Sequence, residues 1–532
     1  MRKPTPAAIL CGAALAACAA SCVFAARVHA DSDSSDRAVI HALNRIAFGP
    51  SRRDVEHVRA IGVSRYIDEQ LRPDRLADPG MEARLAGLST LRMSSREIAE
   101  QFEIPQLKAQ QAKRKAGGDQ NEKDQPNPEA ARRANEPVAE LSAQKLLRAA
   151  YSERQLQEVL ADFWFNHFNV DARKGADRFL LTEYERDVIR PHVLGRFRDL
   201  LGATAKSPAM LFYLDNWMSA DPNGPHPQAP RARFNRRFPM PPMPEAETQK
   251  KNAPKGLNEN YGRELMELHT LGVDGGYTQK DVTEVARAFT GWTIQTPRLG
   301  GGYRFEPRLH DPGQKVVLGH VIKAGGGESD GEEVLDLLAR HPSTARFIAT
   351  ALVRRFVGDT PPPALVDRAA ARFRATDGDL REVMRTILTS PEFVSADAYG
   401  AKTKTPLEFV VSAIRATDAR IPGAHDALPL VREMRELGMP LYFCQPPTGY
   451  KDTADAWVNT GALVGRMNFA LDLAGNKVGA IRVEDQDALA GGGLAALIGR
   501  DLSEPTRATI DRASTGPQRI ALVLGSPEFQ RR

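Results

Sequence analysis

Two glutamates and a histidine follow one another closely in Glu264-x-x-Glu267-x-His269, within the stretch from Asn258 to Trp292. Carboxylates and imidazole rings are side chains that transfer protons or bind metal ions in enzymes. The apolar spacing predicts a helix from Glu259 to Leu271, then a glycine-rich turn and a second helix. At about 100° per residue, His269 then points roughly 140° away from Glu264 and roughly 160° away from Glu267. One helix therefore cannot direct all three side chains at one ion.

Asn260, Glu264 and Glu267 form a polar ridge along one edge of the apolar face of the first helix. A carboxylate that loses contact with water has a raised pKa unless a cation pairs with it. Arg263 points about 100° away from Glu264 on the same helix, so the partner must come from elsewhere. Arg287 in the second helix is the leading candidate. The favoured interpretation is a buried network of ion pairs that orients the two helices.

His167 lies on a predicted helix whose apolar stripe consists of Leu156, Val159, Leu160 and Phe163. The helical spacing puts His167 close to the middle of this stripe. The favoured interpretation is a core histidine with both ring nitrogens hydrogen-bonded, and the alternative is a ligand or proton-transfer role. In that alternative, Glu264 and Glu267 share a metal ion whose coordination His167 or His310 completes.

The candidate catalytic residues are those that could transfer a proton or bind an ion: His167, Glu264, Glu267, His310 and Asp311. The candidate binding residues lie in or beside the same helix pair: Asn260, Arg263, Arg287 and Trp292. A calcium loop through Asp274 and Asp281 would have too few carboxylates. The sequence contains no phosphate-binding loop, dinucleotide fingerprint, Gly-x-Ser-x-Gly elbow or zincin spacing. It therefore predicts no particular cofactor or metal.

The elements that position these residues are predicted to be mainly α-helical, in three parts: residues 31–107, 137–329 and 330–532. Short β-prone runs between Gly300 and Gly327 predict a small β ribbon. Residues 108–136 are almost entirely polar and are predicted to form a disordered insertion. A second, irregular insertion is predicted at 221–256, which is rich in proline. The expected fold is a large multi-helical domain with a small β ribbon and two long irregular insertions.

Residues 1–30 have the pattern of a signal peptide. A short basic start precedes an apolar run from Ala7 to Ala26, and the small residues around Val28-His29-Ala30 fit a cleavage site. The alternative is a lipoprotein processing site, which would leave Cys18 lipidated and the protein anchored to a membrane. No later stretch approaches the ~20 apolar residues of a transmembrane helix. We expect an exported protein, either periplasmic or secreted.

Export changes the charge and cysteine counts. The formal net charge of the chain is +5, and removal of Arg2, Lys3 and Arg27 with the signal leaves +2. A nearly neutral protein gives no electrostatic reason to expect a nucleic-acid partner. Of the four cysteines, only Cys444 follows the signal, so the mature chain cannot form an internal disulfide. Its hydrophobic core must hold the fold.

The stretch Asn258–Trp292, with REL, ELH, LGV, GGYT, DV and ARAFTGW in that order, resembles the bacterial family called domain of unknown function 1800. Further matches extend over most of the mature chain: His41–Gly49, Trp164–Phe168, His310-Asp311 with Lys315 and Gly319, Ser390–Phe393, Lys404-Thr405-Pro406 and Gln445-Pro446-Pro447. One departure is Tyr450, where the family usually has tryptophan.

The resemblance implies a compartment rather than a reaction. The family has no established activity, its members are typically exported, and they are often encoded beside a sulfatase-like family called domain of unknown function 1501. Two classes of function follow. The favoured one is a helical scaffold or binding protein that acts with the sulfatase-like partner, because the sequence has no recognisable nucleophile or ligand set. The alternative is an exported hydrolase with a His/Glu/Asp site, with or without a metal ion.

Overall fold

The computed structural model describes residues 35–115, 128–224, 256–296, 300–498 and 502–532. The predicted signal peptide and the alternative lipidation site at Cys18 lie outside these ranges. So do residues 225–255, which make up most of the second predicted insertion. No helix in the described ranges is long and apolar enough to span a membrane.

Helices make up most of the described chain. The first group is α1 (Asp36–Ile46), α2 (Arg52–Ile61), α3 (Val63–Gln70), α4 (Pro79–Leu85), α5 (Ser95–Ile98), α6 (Ile104–Lys115) and α7 (Pro128–Tyr151). The second is α8 (Gln155–His167), α9 (Asp177–Glu183), α10 (Phe197–Ala205), α11 (Pro208–Tyr213), α12 (Glu259–Glu267) and α13 (Gln279–Ala288). The third is α14 (Glu328–Arg340), α15 (Pro342–Phe356), α16 (Pro363–Ala375), α17 (Leu380–Leu388), α18 (Pro406–Ala416), α19 (Leu428–Glu436), α20 (Ala454–Trp457), α21 (Thr460–Ala474), α22 (Gln486–Ala488), α23 (Glu504–Asp511) and α24 (Gly516–Gly525).

Four short strands lie between α13 and α14. Strand β1 (Trp292–Ile294) pairs antiparallel with β2 (Tyr303–Phe305), and β3 (Lys315–Val317) pairs antiparallel with β4 (His320–Ile322). The ribbon is thus two separate two-stranded sheets. The prediction of a mainly α fold with a small β component is confirmed.

One cluster of buried apolar side chains runs through all three helical groups. It includes Leu43 in α1, Trp164 in α8, Phe289 after α13 and Leu352 in α15. Cys444 is buried and free. Apolar burial, rather than covalent cross-linking, therefore holds the described chain together.

The predicted disordered insertion at 108–136 is wrong in part. Helix α6 continues to Lys115, and α7 begins at Pro128 instead of near residue 137. Val138 and the residues that follow it in α7 are buried and anchor that helix in the core. Alanine, glutamate and arginine have high helix propensity, so an anchored helix extends readily into a polar segment. Residues 116–127 lie outside the described ranges.

Helices α12 and α13 pack closely against each other as a hairpin, hereafter the 258–292 hairpin. A Cβ atom at Gly262 would lie 2.8 Å from the Val282 carbonyl oxygen and 3.1 Å from the Ala286 nitrogen. Both of these are backbone atoms, which cannot rotate away. The absence of a side chain at Gly262 therefore permits the approach of the two helices.

Gly262→Ala is expected to destabilise the protein by about 1–3 kcal/mol, because the helices must separate to admit the methyl group. Gly80→Ala is the matched control, since Gly80 also lies in a helix and its Cβ would meet nothing within 4 Å. Urea denaturation followed by circular dichroism measures both free energies of unfolding. Equal stability of the two variants would contradict the packing argument.

Candidate functional site

Local capping defines both helices of the 258–292 hairpin. The Asn258 side chain accepts a hydrogen bond from the Tyr261 nitrogen at the start of α12. Thr278 and Asp281 form a reciprocal capping box at the start of α13. The second carboxylate oxygen of Asp281 accepts from the Leu318 nitrogen at 2.7 Å, which joins α13 to the β3–β4 turn.

Helix α12 ends earlier than the sequence predicts, at Glu267 instead of Leu271. The Thr270 hydroxyl donates to the Leu265 carbonyl oxygen at 2.7 Å, and the nitrogens of His269 and Leu271 bond to carbonyls five residues back. A hydroxyl that competes for helix carbonyls favours such an ending. The direction predicted for the His269 side chain from helical geometry consequently does not hold, because His269 lies buried in the turn after the helix.

His167 attaches α8 to this turn. Its Nε2 lies 3.1 Å from the His269 carbonyl oxygen and donates to it. Burial lowers the pKa of His167 to about 4, and burial followed by the proximity of His167 lowers that of His269 to about 3. Both rings are therefore neutral at pH 7. This contact supports the interpretation of His167 as a core histidine, whereas its candidate catalytic role stays a prediction.

Glu264 and Glu267 are half-buried neighbours on α12. Burial raises the pKa of Glu264, the negative charge of Glu267 raises it further, and Arg263 opposes both. Glu267 accepts a hydrogen bond from the Tyr277 hydroxyl at 3.1 Å. Asn260 is exposed, so the predicted ridge of partly buried groups consists of the two glutamates alone. Two adjacent carboxyl groups, one with a raised pKa, can exchange a proton with a bound ligand.

Arg287 does not pair with Glu264, which corrects the predicted ion pair. Its guanidinium contacts Glu284 at 2.9 Å, one helical turn away, and Asp311 at 2.7 Å. Burial works in the opposite direction, but the hydrogen bonds from Arg287 and the Gly313 nitrogen hold the pKa of Asp311 below its ordinary value. Arg287 therefore joins α13 to the segment before β3.

His310 belongs to a further buried network, which is built around Lys315 and Asp330. Its Nδ1 donates to the Thr290 carbonyl oxygen at 2.8 Å, and its Nε2 lies 3.1 Å from an Asp330 carboxylate oxygen. The same oxygen accepts from the Lys315 ammonium at 2.7 Å, and both Lys315 and Asp330 are almost completely excluded from solvent. The ammonium also donates to the carbonyl oxygens of Asp311 and Gly313. This network holds β3 against the start of α14.

The two remaining binding candidates, Arg263 and Trp292, contact neighbouring side chains. Arg263 donates to the Gln279 side chain at 2.6 Å. Trp292 is fully buried between Phe289 and Tyr303, with ring centroids 4.8 and 5.3 Å away, and its indole nitrogen has no hydrogen-bond partner in the described chain. Trp292 is thus a core residue of the hairpin.

The five candidate catalytic side chains fall into three sets: His167, then Glu264 with Glu267, then His310 with Asp311. Among the described residues, no side-chain hydrogen bond or ion pair joins one set to another. The same part of the chain contains no group of three or more His, Cys, Asp or Glu residues that could hold a metal ion. No direct polar contact in the described chain therefore joins the three sets, and the catalytic role of each residue stays a prediction.

Sequence reasoning missed Asp177 at the start of α9. This side chain is fully buried, and neither carboxylate oxygen has a hydrogen-bond partner in the described ranges. Burial raises its pKa well above the ordinary value despite the proximity of Lys174. Lys174 pairs instead with Asp215 at 2.8 Å. No spacing signal distinguishes Asp177 from a surface residue, because its burial comes from tertiary packing.

Similarity to a known protein family extends over nearly the whole chain and is not confined to the hairpin. The family described as protein of unknown function, DUF1800, matches residues 41–531. The chain belongs to the DUF1800 family. No curated protein matches it, and no solved structure matches it. The matched range includes the 258–292 hairpin, the networks around Arg287 and Lys315, and the described helices α14 to α24.

In this DUF1800 protein, Lys315→Met is expected to lower the free energy of unfolding by about 3–5 kcal/mol, because it leaves the buried Asp330 without its cation. Lys315→Met combined with Asp330→Asn is expected to lose less than the sum of the two single changes. Urea denaturation gives the four values of the cycle. Lys451→Met, at the exposed pair with Asp455, is the control and is expected to leave stability unchanged. A Lys315 variant as stable as that control would refute the structural role of the network.

Proposed function

We propose that this protein is an exported helical binding protein that docks its partner through one face of α21. The observation that carries the proposal is a group of large apolar side chains exposed at and before this helix: Val458, Leu463, Val464 and Leu471, which are 50, 46, 56 and 45% exposed. This set is named the α21 surface.

The α21 surface departs from the usual pattern of a surface helix. Phe469 and Leu473 lie on the inner face of α21 and are buried, as the core requires. A surface helix normally has polar residues on its outer face, yet here that face has Val464 and Leu471 seven residues apart. Exposed apolar groups that cluster in this way mark interaction sites, whereas Val273, another exposed valine, lies elsewhere in the chain at the hairpin turn.

The partner we propose is the sulfatase-like protein of the family called domain of unknown function 1501. Support for it comes from the resemblance, because members of the two families are often encoded side by side. Support for export comes from the signal pattern of residues 1–30. An apolar docking face suits a lasting complex between two proteins.

Val464→Asp combined with Leu471→Asp is expected to abolish binding of the purified sulfatase-like partner, because two charges would enter an apolar interface. Val273→Asp combined with Val321→Asp is the matched control, since those valines are exposed but lie outside the α21 surface. Calorimetric titration measures binding, and circular dichroism checks that both variants fold. Wild-type protein that does not bind the partner, or equal binding by both variants, would contradict the proposal.

Hydrolysis is a second candidate function, and one observation favours it. The half-buried Glu264 has a raised pKa beside Glu267, an arrangement that suits general acid catalysis. A general acid contributes about 100-fold or more to a rate. Loss of a hydrolytic activity on replacing Glu264, with the fold intact, would therefore support this alternative.

Glu264→Gln tests the raised pKa of Glu264 through the pH dependence of stability. A carboxyl group whose pKa is raised by folding contributes stability at low pH, and this contribution is lost as the pH rises through the folded-state pKa. Glu264→Gln replaces this carboxyl group with a neutral amide. The variant is expected to be up to about 1 kcal/mol more stable than wild type at pH 7 and no more stable near pH 4.

Thermal unfolding between pH 4 and pH 8 measures this difference. Hydrolysis of nitrophenyl acetate, phosphate and sulfate esters is assayed in parallel, with Glu259→Gln on the same helix as the control. The binding proposal predicts no wild-type hydrolysis that depends on Glu264. A folded Glu264→Gln protein that loses about 100-fold in rate, while Glu259→Gln retains it, would favour the enzyme.

A further inference from the structure

A cluster of buried cations lies where α1 meets the C-terminal helices and the end of the chain. It consists of five side chains, each at most 6% exposed as a residue: Arg45, Arg355, Lys402, Arg466 and Arg532. This set is named the basic cluster. Three acidic side chains pair with it within 4 Å: Asp359, Glu408 and Asp452.

Three cations of the basic cluster pair with these acidic side chains. Glu408 pairs with Arg355 at 2.6 Å and with Arg532 at 2.9 Å. Lys402 pairs with Asp359 at 2.7 Å and with Asp452 at 3.2 Å. These ion pairs are of the kind that buried charges require.

Arg45 and Arg466 have no acidic partner within 4 Å among the described residues. Arg45 Nη2 donates to the Ala398 carbonyl oxygen at 2.6 Å, but its Nε and Nη1 are buried without a hydrogen-bond partner in those residues. Burial, and then the charge of Arg532, lowers the pKa of Arg45 well below its ordinary value. An unpaired buried guanidinium is unfavourable unless an anion approaches it.

A small cavity opens beside Arg532. Its volume is ≈ 110 Å³, and it is lined by Arg37, Ile40, His41, Asn44, Tyr399, Gly400, Ile498 and Arg532. One buried water needs roughly 10–15 Å³, so the cavity has room for a small polyatomic anion. None of the side chains of these eight residues is acidic. Arg45 lies on α1 next to Asn44, and its charge acts on both His41 and Arg532.

Aromatic and hydrogen-bond contacts fix the walls of the cavity. The His41 ring stacks on Tyr399 with centroids 4.3 Å apart, and its Nε2 donates to the Phe393 carbonyl oxygen at 2.8 Å. The exposed Arg37 guanidinium lies 4.4 Å from the centre of the Tyr399 ring, at the mouth of the cavity. The walls are therefore set before any ligand arrives.

We propose that this cavity binds one small oxyanion group, a carboxylate, sulfate or phosphate, between Arg37 and Arg532, with Arg45 behind it. Guanidinium groups match the planar or tetrahedral oxygens of these anions, and a partly dehydrated site strengthens the attraction. The anion would also offset the charge of Arg45, two of whose nitrogens have no hydrogen-bond partner in the described chain. The proposal does not depend on the α21 surface.

The test is calorimetric titration of the full chain with sodium sulfate, sodium phosphate and sodium acetate in chloride buffer at constant ionic strength. Wild type is expected to show one saturable site for at least one of these anions. A preference for sulfate or phosphate over acetate would identify a tetrahedral group as the source, and the reverse would identify a carboxylate.

Arg45→Met is expected to weaken this affinity about tenfold or more, the effect of losing a charge that the anion would offset. Asn44→Asp is a second variant that keeps every arginine, and its carboxylate would occupy the place of the anion. It is expected to abolish the anion titration while the protein stays folded. Arg346→Met is the matched control, because Arg346 lines another cleft and is paired with Asp367.

No saturable binding of any of the three anions to wild type would overturn the proposal. Unchanged affinity in Asn44→Asp would overturn it even if Arg45→Met failed to fold. An equal loss of affinity in Arg346→Met would also overturn it, because binding would then depend on general surface charge and not on this cavity.

Discussion

The close contact between α12 and α13 is the constraint on which the central part of this protein depends. It requires glycine at position 262, where a side chain would meet the backbone of the opposite helix. Contacts extend from the hairpin in several directions: His167 reaches the turn after α12, Asp281 and Glu284 accept from backbone nitrogens in the ribbon, and Arg287 pairs with Asp311. The polar groups of the hairpin thus connect α8, the strands and the segment before β3. This is why residues typical of catalysis have structural partners here.

Local signals predicted the hairpin well. The spacing of apolar residues is enough to predict two helices with a glycine-rich turn between them, and the caps at Asn258 and Thr278 fix where the helices begin. The raised pKa of Glu264 also follows from its position at the edge of an apolar face. The partner of Arg287 could not be found in this way, because Glu264 and Asp311 are equally plausible from the sequence and only packing selects between them. The early end of α12 was missed because Thr270 competes for its carbonyls.

Two buried charge networks show how distance along the chain limits prediction. Lys315 and Asp330 are fifteen residues apart and satisfy each other, with His310 beside them. The basic cluster is assembled from residues as distant as Arg45 and Arg532, and two Arg45 nitrogens have no hydrogen-bond partner in the described chain. Arg45 and Arg532 are too far apart in the sequence for any local pattern to link them. The same holds for Asp177, whose burial results from helices distant in sequence. Long-range packing therefore places the charges that sequence spacing could not assign.

The central claim is that the hairpin maintains the fold while the α21 surface binds the partner. Hydrogen–deuterium exchange of the full chain, with and without the sulfatase-like protein, tests it most directly, because exchange reports protection segment by segment. We expect amides of Thr460–Ala474 to exchange more slowly in the complex, and those of the 258–292 hairpin to exchange slowly in both states. Protection confined to the hairpin, with α21 unchanged, would contradict the account.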